Sequence, residues 1–512
     1  MKTFIAALLA AALFACGGIV CAEVEKTVEE CVTLDGYIGY LPDIDAALSE
    51  DTSVEAVLYK RIYDGLLRLD AEIDISDLHL PYVSGSNYVI NLYAQVCFEH
   101  PELYYVYATR FTSSYYISPR EYAALTPVYT ENDPDVIAAT RKKIEEALDR
   151  LVSLTDPTMT DAEKVIVVHD AIVSETAYDT TLAAATAKDL LLDHTAVCQG
   201  YADTFYAAMV RLGIPCGFVN GDRHVWNAVY IDGAWYHVDC TFDDPCDPDR
   251  GENIPGLVKH EYALIGNDRM WQHRQDFTKL DNCGTAYDGA FWRETDSAVV
   301  IAAGQWYYID DDEKTLEHYN TDTGETETLY RFGNWPHYLA GYAWSGTYSG
   351  LVKSGGKLYF NEYDAVYAMP FDSRLPAVVY RHEDEVNCSL YGLAASDGIL
   401  YAAAGTKEDP RVRTPVPVLT FAAPKDTFHV LCRYNKDGAP CVAYTSENSD
   451  GGTIIAFDRD TDGRLGKIGV RVKDTRDGIW RLPRSFADGF SVLPLDEALR
   501  PMTRLLDFGR LA

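Results

Sequence analysis

Positive charge is scarce in this chain of 512 residues: 44 lysines and arginines stand against 78 aspartates and glutamates, a formal net charge of −34. Nucleic acid is held mainly through neutralised phosphates, so this balance excludes it as a partner, and the acidity reads as a source of solubility. Metal signatures are missing too. There is no Cys-x-x-Cys and no His-Glu-x-x-His, so neither a structural nor a catalytic zinc is expected, and no cofactor is called for. After residue 22 no apolar run is long enough to span a bilayer. The twelve cysteines lack the spacing of a disulfide framework, and with Cys198 set aside the number left after residue 22 is odd, so no pairing is assigned.

What is present describes an ordinary globular protein, 47% hydrophobic and 24% charged, long enough for about three domains. The first 22 residues carry one lysine, an apolar run and a small-residue end, the make-up of a secretory signal cleaved after Ala22. An alternative is the run Leu13-Phe-Ala-Cys16, which resembles a bacterial lipoprotein signal and would make Cys16 the lipidated N-terminus. Either address implies an exported protein, secreted or at the cell surface.

Residues 23–155 form a mixed α/β region. Ser86–Phe98 has the apolar spacing of a helix that Pro101 ends, and Leu103–Tyr116 reads as strand. Asp133-Pro134 opens a helix through Ile137, Ile144, Ala147, Leu148 and Leu151. Thr160-Asp-Ala-Glu163 is a capping box that starts the next helix, which includes His169-Asp170.

The chain is organised around Thr195–Pro245. Apolar groups at Ala202, Phe205, Met209 and Leu212 predict a helix over 198–212, with Thr195 as cap and Gly213 then Pro215 as stop signals. Cys198 then lies in the first turn, where unpaired N–H groups and the helix dipole favour a thiolate. Downstream, Asp232-Gly233 signals a two-residue hairpin turn. That turn sets Trp226 opposite Asp239 and His224 opposite Thr241, so His224 and Asp239 become diagonal neighbours on one face, about 7–8 Å apart at Cα. The roles follow: Cys198 attacks a carbonyl, His224 moves the proton, and Asp239 holds the imidazole. His237 is the replacement for His224 if the hairpin carries a bulge. For the second oxyanion donor, Gln199, Tyr178 and Trp226 can each serve, and Trp226 can instead wall the site.

The blocks Val197-Cys-Gln-Gly-Tyr-Ala202, Leu212-Gly-Ile-Pro215, His224-Val-Trp-Asn227 and Trp235-Tyr-His-Val-Asp239, in this order, resemble the transglutaminase-like superfamily in its exported bacterial form. The resemblance covers about residues 156–285. It implies an α+β fold with a papain-like core, the cysteine helix packed on an antiparallel sheet, and a structural role for the helix bearing His169. Three departures stand out: Ala196 where relatives usually have Gly, Cys240 after the aspartate, and Phe242 in place of a common Trp.

Past about residue 290 strands and turns alternate. Gly304-Gln-Trp-Tyr307, Gly356-Lys-Leu-Tyr359 and Gly398-Ile-Leu-Tyr401 repeat a signature at blade-like intervals, which predicts an all-β, propeller-like domain. Gly233-Ala-Trp-Tyr236 repeats it inside the catalytic hairpin, so it also fits hairpins in general. Asp458-Arg-Asp-Thr-Asp-Gly463 copies the start of a calcium loop, but Gly469 stands where a bidentate Glu is required, and a hairpin turn is the better reading. Asn435-Lys-Asp-Gly438 predicts a three-residue turn that puts Cys432 and Cys441 out of line.

The expected domains are a signal peptide (1–22), an N-terminal α/β region (23–155), a transglutaminase-like catalytic domain (156–288) and the β domain (289–512). The function expected is an exported thiol enzyme, a cysteine protease or deamidase when water resolves the thioester and a cross-linking acyltransferase when an amine does. Its substrate would be protein or peptide, with the cell wall as one setting. The competing reading is a non-catalytic surface protein that binds or adheres through its β domain.

Overall fold

The computed structural model describes residues 24–31, 39–42, 53–155, 159–245, 258–295 and, from 297 to 509, all but short connecting segments. The expected signal peptide and Cys16 lie outside the described residues. The chain forms two compact units, one of residues 1–38 and 45–140, the other of 39–44 and 141–512.

In the first unit β1 (Val24–Cys31), α1 (Val54–Leu67), β2 (Ile73–Asp74), α2 (Tyr88–Glu99), β3 (Val106–Tyr116) and β4 (Tyr122–Tyr129) form an antiparallel sheet of order β1-β3-β4-β2 with its helices. Leu58, Ile62 and Leu66 of α1 are fully buried, as are Tyr93 and Val96 of α2. As expected, α2 stops just ahead of Pro101, because proline disfavours helical backbone in the residue before it. Next, α3 (Pro134–Val152) follows its prediction, with Ile137, Ile144, Ala147, Leu148 and Leu151 on the buried face.

The second unit continues with α4 (Asp161–Glu175), β5 (Ala177–Tyr178), α5 (Ala187–Asp193), β6 (Thr195–Ala196) and α6 (Cys198–Leu212). The Thr160–Glu163 capping box is present in both directions. The sheet beside α6 is β7 (Cys216–Gly221), β8 (His224–Ile231), β9 (Ala234–Val238) and β10 (Ala263–Ile265), antiparallel in the order β10-β9-β8-β7, followed by α7 (Asn267–His273). Helix and sheet are joined by Asn227, whose amide donates to the Ala202 carbonyl at 3.1 Å and the Gly217 carbonyl at 3.3 Å. On another part of the sheet Val219, Trp226, Trp235, Ile265, Met270 and Phe277 share a core.

Two glycines carry the geometry of this region. Asp232 and Gly233 have φ of 51° and 79°, the positive pair that a two-residue type I′ turn needs. Gly200 sits where a Cβ would come within 2.8 Å of the Ala196 methyl and 2.9 Å of the Thr186 carbonyl oxygen. Alanine normally stabilises a helix by about 1 kcal/mol over glycine. Here the sign should invert: Gly200→Ala is expected to lower unfolding stability by about 1–3 kcal/mol, read from denaturant midpoints, because backbone on α5 must move. An unchanged or higher midpoint would mean that α5 yields freely.

Further on, β11 (Val300–Ala302), β12 (Gln305–Asp310), β13 (Thr315–Asn320) and β14 (Glu325–Arg331) form a four-stranded antiparallel meander. A two-stranded hairpin (Trp335–Leu339 and Tyr342–Gly346) comes next, then a second four-stranded meander from Val352–Ser354 to Ala377–Arg381, then two three-stranded sheets and one of four strands. Each Gly-x-apolar-Tyr signature opens a strand, and Gly304 and Gly356 both have φ of 71°, so the signature marks a hairpin turn as it does at Gly233. Among the described residues no sheet closes and the region is a series of antiparallel meanders, so the propeller-like arrangement stays an expectation. The strands Phe428–Lys436 and Ala439–Ser446 pair Lys436 with Ala439, a two-residue turn rather than the three expected. Cys432 pairs with Ala443 and Cys441 with Tyr434, because the register set at Lys436↔Ala439 runs unbroken to Cys432, so the two cysteines stay out of line as expected. Asp458 and Arg459 of that stretch end the strand Gly452–Arg459, which pairs with Leu465–Lys473, and the rest of it lies outside the described residues.

Candidate active site

Cys198 is the first residue of α6, and the helix ends at Gly213 in the left-handed conformation, as the spacing predicts. The cap differs. Val197 is the N-cap and makes no side-chain capping bond, while Thr195 is held in β6, which pairs in parallel with β5. A helix start without a capping side chain leaves first-turn N–H groups beside the thiol.

The hairpin has the expected register from Ile231↔Ala234 to Asn227↔Val238, with no bulge. The strand ladder stops there, so His224 and Thr241 do not pair. Instead the chain turns out of β9 at Asp239, and its carboxylate Oδ2 lies 2.7 Å from His224 Nε2. Asp239 is held in turn by the Phe242 N–H, which donates to Oδ1 at 3.2 Å. With Nε2 engaged, the other ring edge is left for Cys198, whose proximity helps to raise the His224 pKa. Burial alone would depress the His224 pKa. The Asp239 charge and hydrogen bond outweigh it, with Cys198 adding to them, and the imidazole is raised to about 9. All three side chains are buried: Cys198 is 4% exposed, His224 7% and Asp239 1%.

Aromatic rings enclose this imidazole. Phe242 stacks on it at 4.3 Å between centroids and 7° between planes, and Trp226 lies on it at 5.7 Å and 21°. Arg274 completes the wall, its guanidinium over Trp226 at 4.9 Å and over Phe242 at 5.6 Å, and its charge is paired with Asp276. The sequence marked Phe242 only as a departure from family pattern and gave no sign of Arg274, which arrives from the far side of α7.

The three oxyanion candidates separate. The Trp226 indole N–H donates to His237 Nδ1 at 3.0 Å, so it is already engaged, and the ring lies beside the His224 imidazole. The Gln199 amide N–H₂ is directed along the helix to Asp203 at 2.6 Å, away from a role at the thiol. Burial pushes the Asp203 carboxyl well above the usual carboxylate range. Tyr178 sits in β5 opposite Ala196, two residues before Cys198. His237 is engaged elsewhere: it pairs with Ala228 in the sheet, is hydrogen bonded to Trp226 and Asn267, and is lowered by burial to about 4.

The expected absence of a metal motif has one test among the described residues. His169, Asp170 and His260 offer ligand atoms within 4.8 Å of one another, all buried. Their nitrogens and oxygens are mutually hydrogen bonded, at 2.8 Å from His169 Nδ1 and 2.9 Å from His260 Nε2 to the same Asp170 oxygen. Cys97, Cys198, Cys216, Cys240 and Cys283 are free thiols. Among the described residues no helix is long and apolar enough to cross a membrane.

The model of the transglutaminase-like superfamily matches residues 149–240. Human kyphoscoliosis peptidase is 31% identical over 157 residues, covering 26% of this chain and 22% of that protein. The chain thus spans about a fifth of the length of that relative. Among solved structures a TGase is 16% identical over 26% of this chain and 43% of its own, with a TM-score of 0.19. A protein from Cytophaga hutchinsonii assigned as a cysteine protease is 21% identical over 26% of this chain and 54% of its own, with a TM-score of 0.18. Superpositions this loose say nothing about chemistry, and the sequence matches carry the relationship. Residues 149–240 of this chain are therefore a domain of the transglutaminase-like superfamily.

Proposed function

We propose that this chain is a thiol enzyme in which Cys198 attacks a carboxamide or peptide carbonyl, with His224 and Asp239 completing a catalytic triad. The observation that carries the reading is the 2.7 Å contact between His224 Nε2 and Asp239 Oδ2, with Cys198 near enough to the same ring to help raise its pKa. The sulfur adds to the carbonyl carbon and His224 gives its proton to the departing amine. A thioester on Cys198 remains. Water then loses a proton to His224, attacks the thioester, and releases the acid and the free thiol. The N–H groups at the uncapped start of α6 are placed to hold the oxyanion in both steps.

Hydrolysis is favoured over amine transfer, since no calcium or amine site is legible, so the reaction class is peptidase or deamidase acting on protein or peptide. Export, and a substrate at the cell surface or wall, belong to the same reading through the first 22 residues.

The test is iodoacetamide alkylation of Cys198 against pH, located by peptide mass, in the chain and in His224→Ala. Fast labelling below pH 7 that the variant loses by about tenfold or more is the expected result. Ordinary thiol titration in both would sink the enzyme reading and favour a binding protein that works through its β region.

A further inference from the structure

Asp239 opens a tight segment whose other end enters a second group of buried ionisable side chains, one that the proposed reaction does not use. The Asp243 N–H donates to the Asp239 carbonyl at 3.2 Å, and Asp239 N–H to the Tyr262 carbonyl at 3.3 Å. The Asp243 carboxylate accepts the Tyr262 N–H at 3.0 and 3.1 Å and lies 3.1 Å from His169 Nε2. From there the contacts continue. His169 Nδ1 meets Asp170 Oδ1 at 2.8 Å, the same oxygen meets His260 Nε2 at 2.9 Å, and His260 Nδ1 donates to the Thr295 carbonyl at 3.1 Å. The second Asp170 oxygen accepts the Val299 N–H at 2.7 Å. Exposure of the four side chains runs from 0% to 3%.

This arrangement fixes protons as well as atoms. Both His169 nitrogens face aspartate oxygens, so with Asp170 and Asp243 ionised both nitrogens donate and His169 is an imidazolium. A buried charge of this kind is retained only where every partner is in place, because a missing partner leaves it uncompensated. The network therefore has one low-energy geometry, and the segment that starts at Asp239 is one of its walls.

We propose that His169 and Asp243, braced by Asp170 and His260, are positioning residues for Asp239, and that through them Thr295 and Val299, ahead of β11, take part in aligning the site. The proposal rests on the reading of Cys198, His224 and Asp239 as a triad. A metal held by His169, Asp170 and His260 is the competing reading. It is disfavoured because one Asp170 oxygen already receives both imidazole N–H groups and the other receives Val299.

The experiment uses two variants of the full chain, His169→Gln and His169→Asn. A glutamine amide reaches as Nε2 does and keeps the bond to Asp243. An asparagine amide takes the place of Nδ1 and keeps only the bond to Asp170. Both lose the same imidazole, and denaturant midpoints check that both remain folded at the same level. The readout is the rate of Cys198 alkylation at pH 6 relative to pH 10. Groups that titrate or carry charge around His169 are Asp170 on α4, Asp243, and His260 beyond Asp170. Cys240 feels Asp170 and Asp243, and Arg293 donates to the His260 carbonyl at 2.6 Å. Around His224 they are Cys198 and Asp239, with Arg274 over the stacked Phe242.

His169→Gln is expected to stay within about threefold of the parent ratio, while His169→Asn drops it by about tenfold or more. Equal ratios in the two variants, whether both low or both unchanged, overturn the proposal. So does about one equivalent of bound transition metal per purified chain that disappears in His169→Asn. If the parent chain itself shows no His224-dependent labelling at pH 6, it is the triad reading that falls, and the two failures are told apart.

Discussion

Asparagine in place of Asp239 is expected to lower Cys198-dependent amide hydrolysis by about 10³- to 10⁴-fold. The reason is tautomeric. Asp239 Oδ2 accepts from His224 Nε2 at 2.7 Å, so the ring can carry its mobile proton on the edge turned to Cys198 or give it up there. An asparagine keeps its oxygen on the Phe242 N–H, where Oδ1 now accepts at 3.2 Å, and presents N–H₂ to His224. Nε2 would then have to accept, the ring proton would sit on the edge facing Cys198, and the imidazole could not take a proton from the thiol. Single-turnover cleavage of a peptide anilide should show the loss in the chemical step with little change in substrate affinity. A loss under about tenfold would mean that Asp239 supports the loop rather than the tautomer.

Stability should fall as pH rises above neutrality. His224 and His169 are each raised to about 9. For His169, burial works against the charge, and the hydrogen bonds to Asp170 and Asp243 outweigh it. Burial likewise opposes the Asp170 charge, but the two imidazoles hold that carboxyl below the usual range, whereas in Asp243 burial prevails and its carboxyl is raised. A folded histidine pKa above the unfolded value of about 6.5 stabilises the protein in full below that pH, and the contribution disappears as pH passes through the folded pKa. The window is therefore about pH 6.5 to 9, and an upper bound is about 3 kcal/mol for each imidazole. Urea midpoints measured across that range should decline in the parent chain and decline less in His169→Gln, which has one fewer titrating group. A flat profile from pH 6 to 9.5 would show that neither imidazole gains a proton on folding.

Acidity also bears on what the aromatic wall can do. Arg274 lies against Trp226 and Phe242 but is neutralised by Asp276, so the approach to His224 offers aromatic faces with little net positive charge. Phe242 is 42% exposed although it stacks on a buried imidazole, which makes it the ring that an incoming substrate would meet first.

Much of the site was legible because it is written in local signals. Helix periodicity put Cys198 at a first turn, and Asp232-Gly233 set a hairpin whose register follows from turn length as far as Asn227↔Val238, while His224 and Asp239 meet beyond that ladder, where the chain turns out of β9. Those are properties of short segments, and no distant contact had to be known. Failures came wherever a second partner decides the outcome. Thr195 has the chemistry of a cap, but pairing with β5 took it away from the helix start. Trp226 and Gln199 are competent donors in isolation, and His237 and Asp203 claimed their N–H groups. The repeated Gly-x-apolar-Tyr signature is a turn signal, and how hairpins pack into a larger whole is not encoded in the turn.

By itself, then, the sequence determined the helix that begins at Cys198 and the hairpin turn between His224 and Asp239, since each is set by signals within one short segment. Only the tertiary structure decided which side chains surround them. His169 and Asp243 are 74 positions apart, His260 and Asp170 are 90, and Val299 and Asp170 are 129. Nothing in a local pattern distinguishes a buried imidazolium held by two carboxylates from a surface histidine beside an aspartate. That difference arises when folding removes water and leaves the charges no partners except each other.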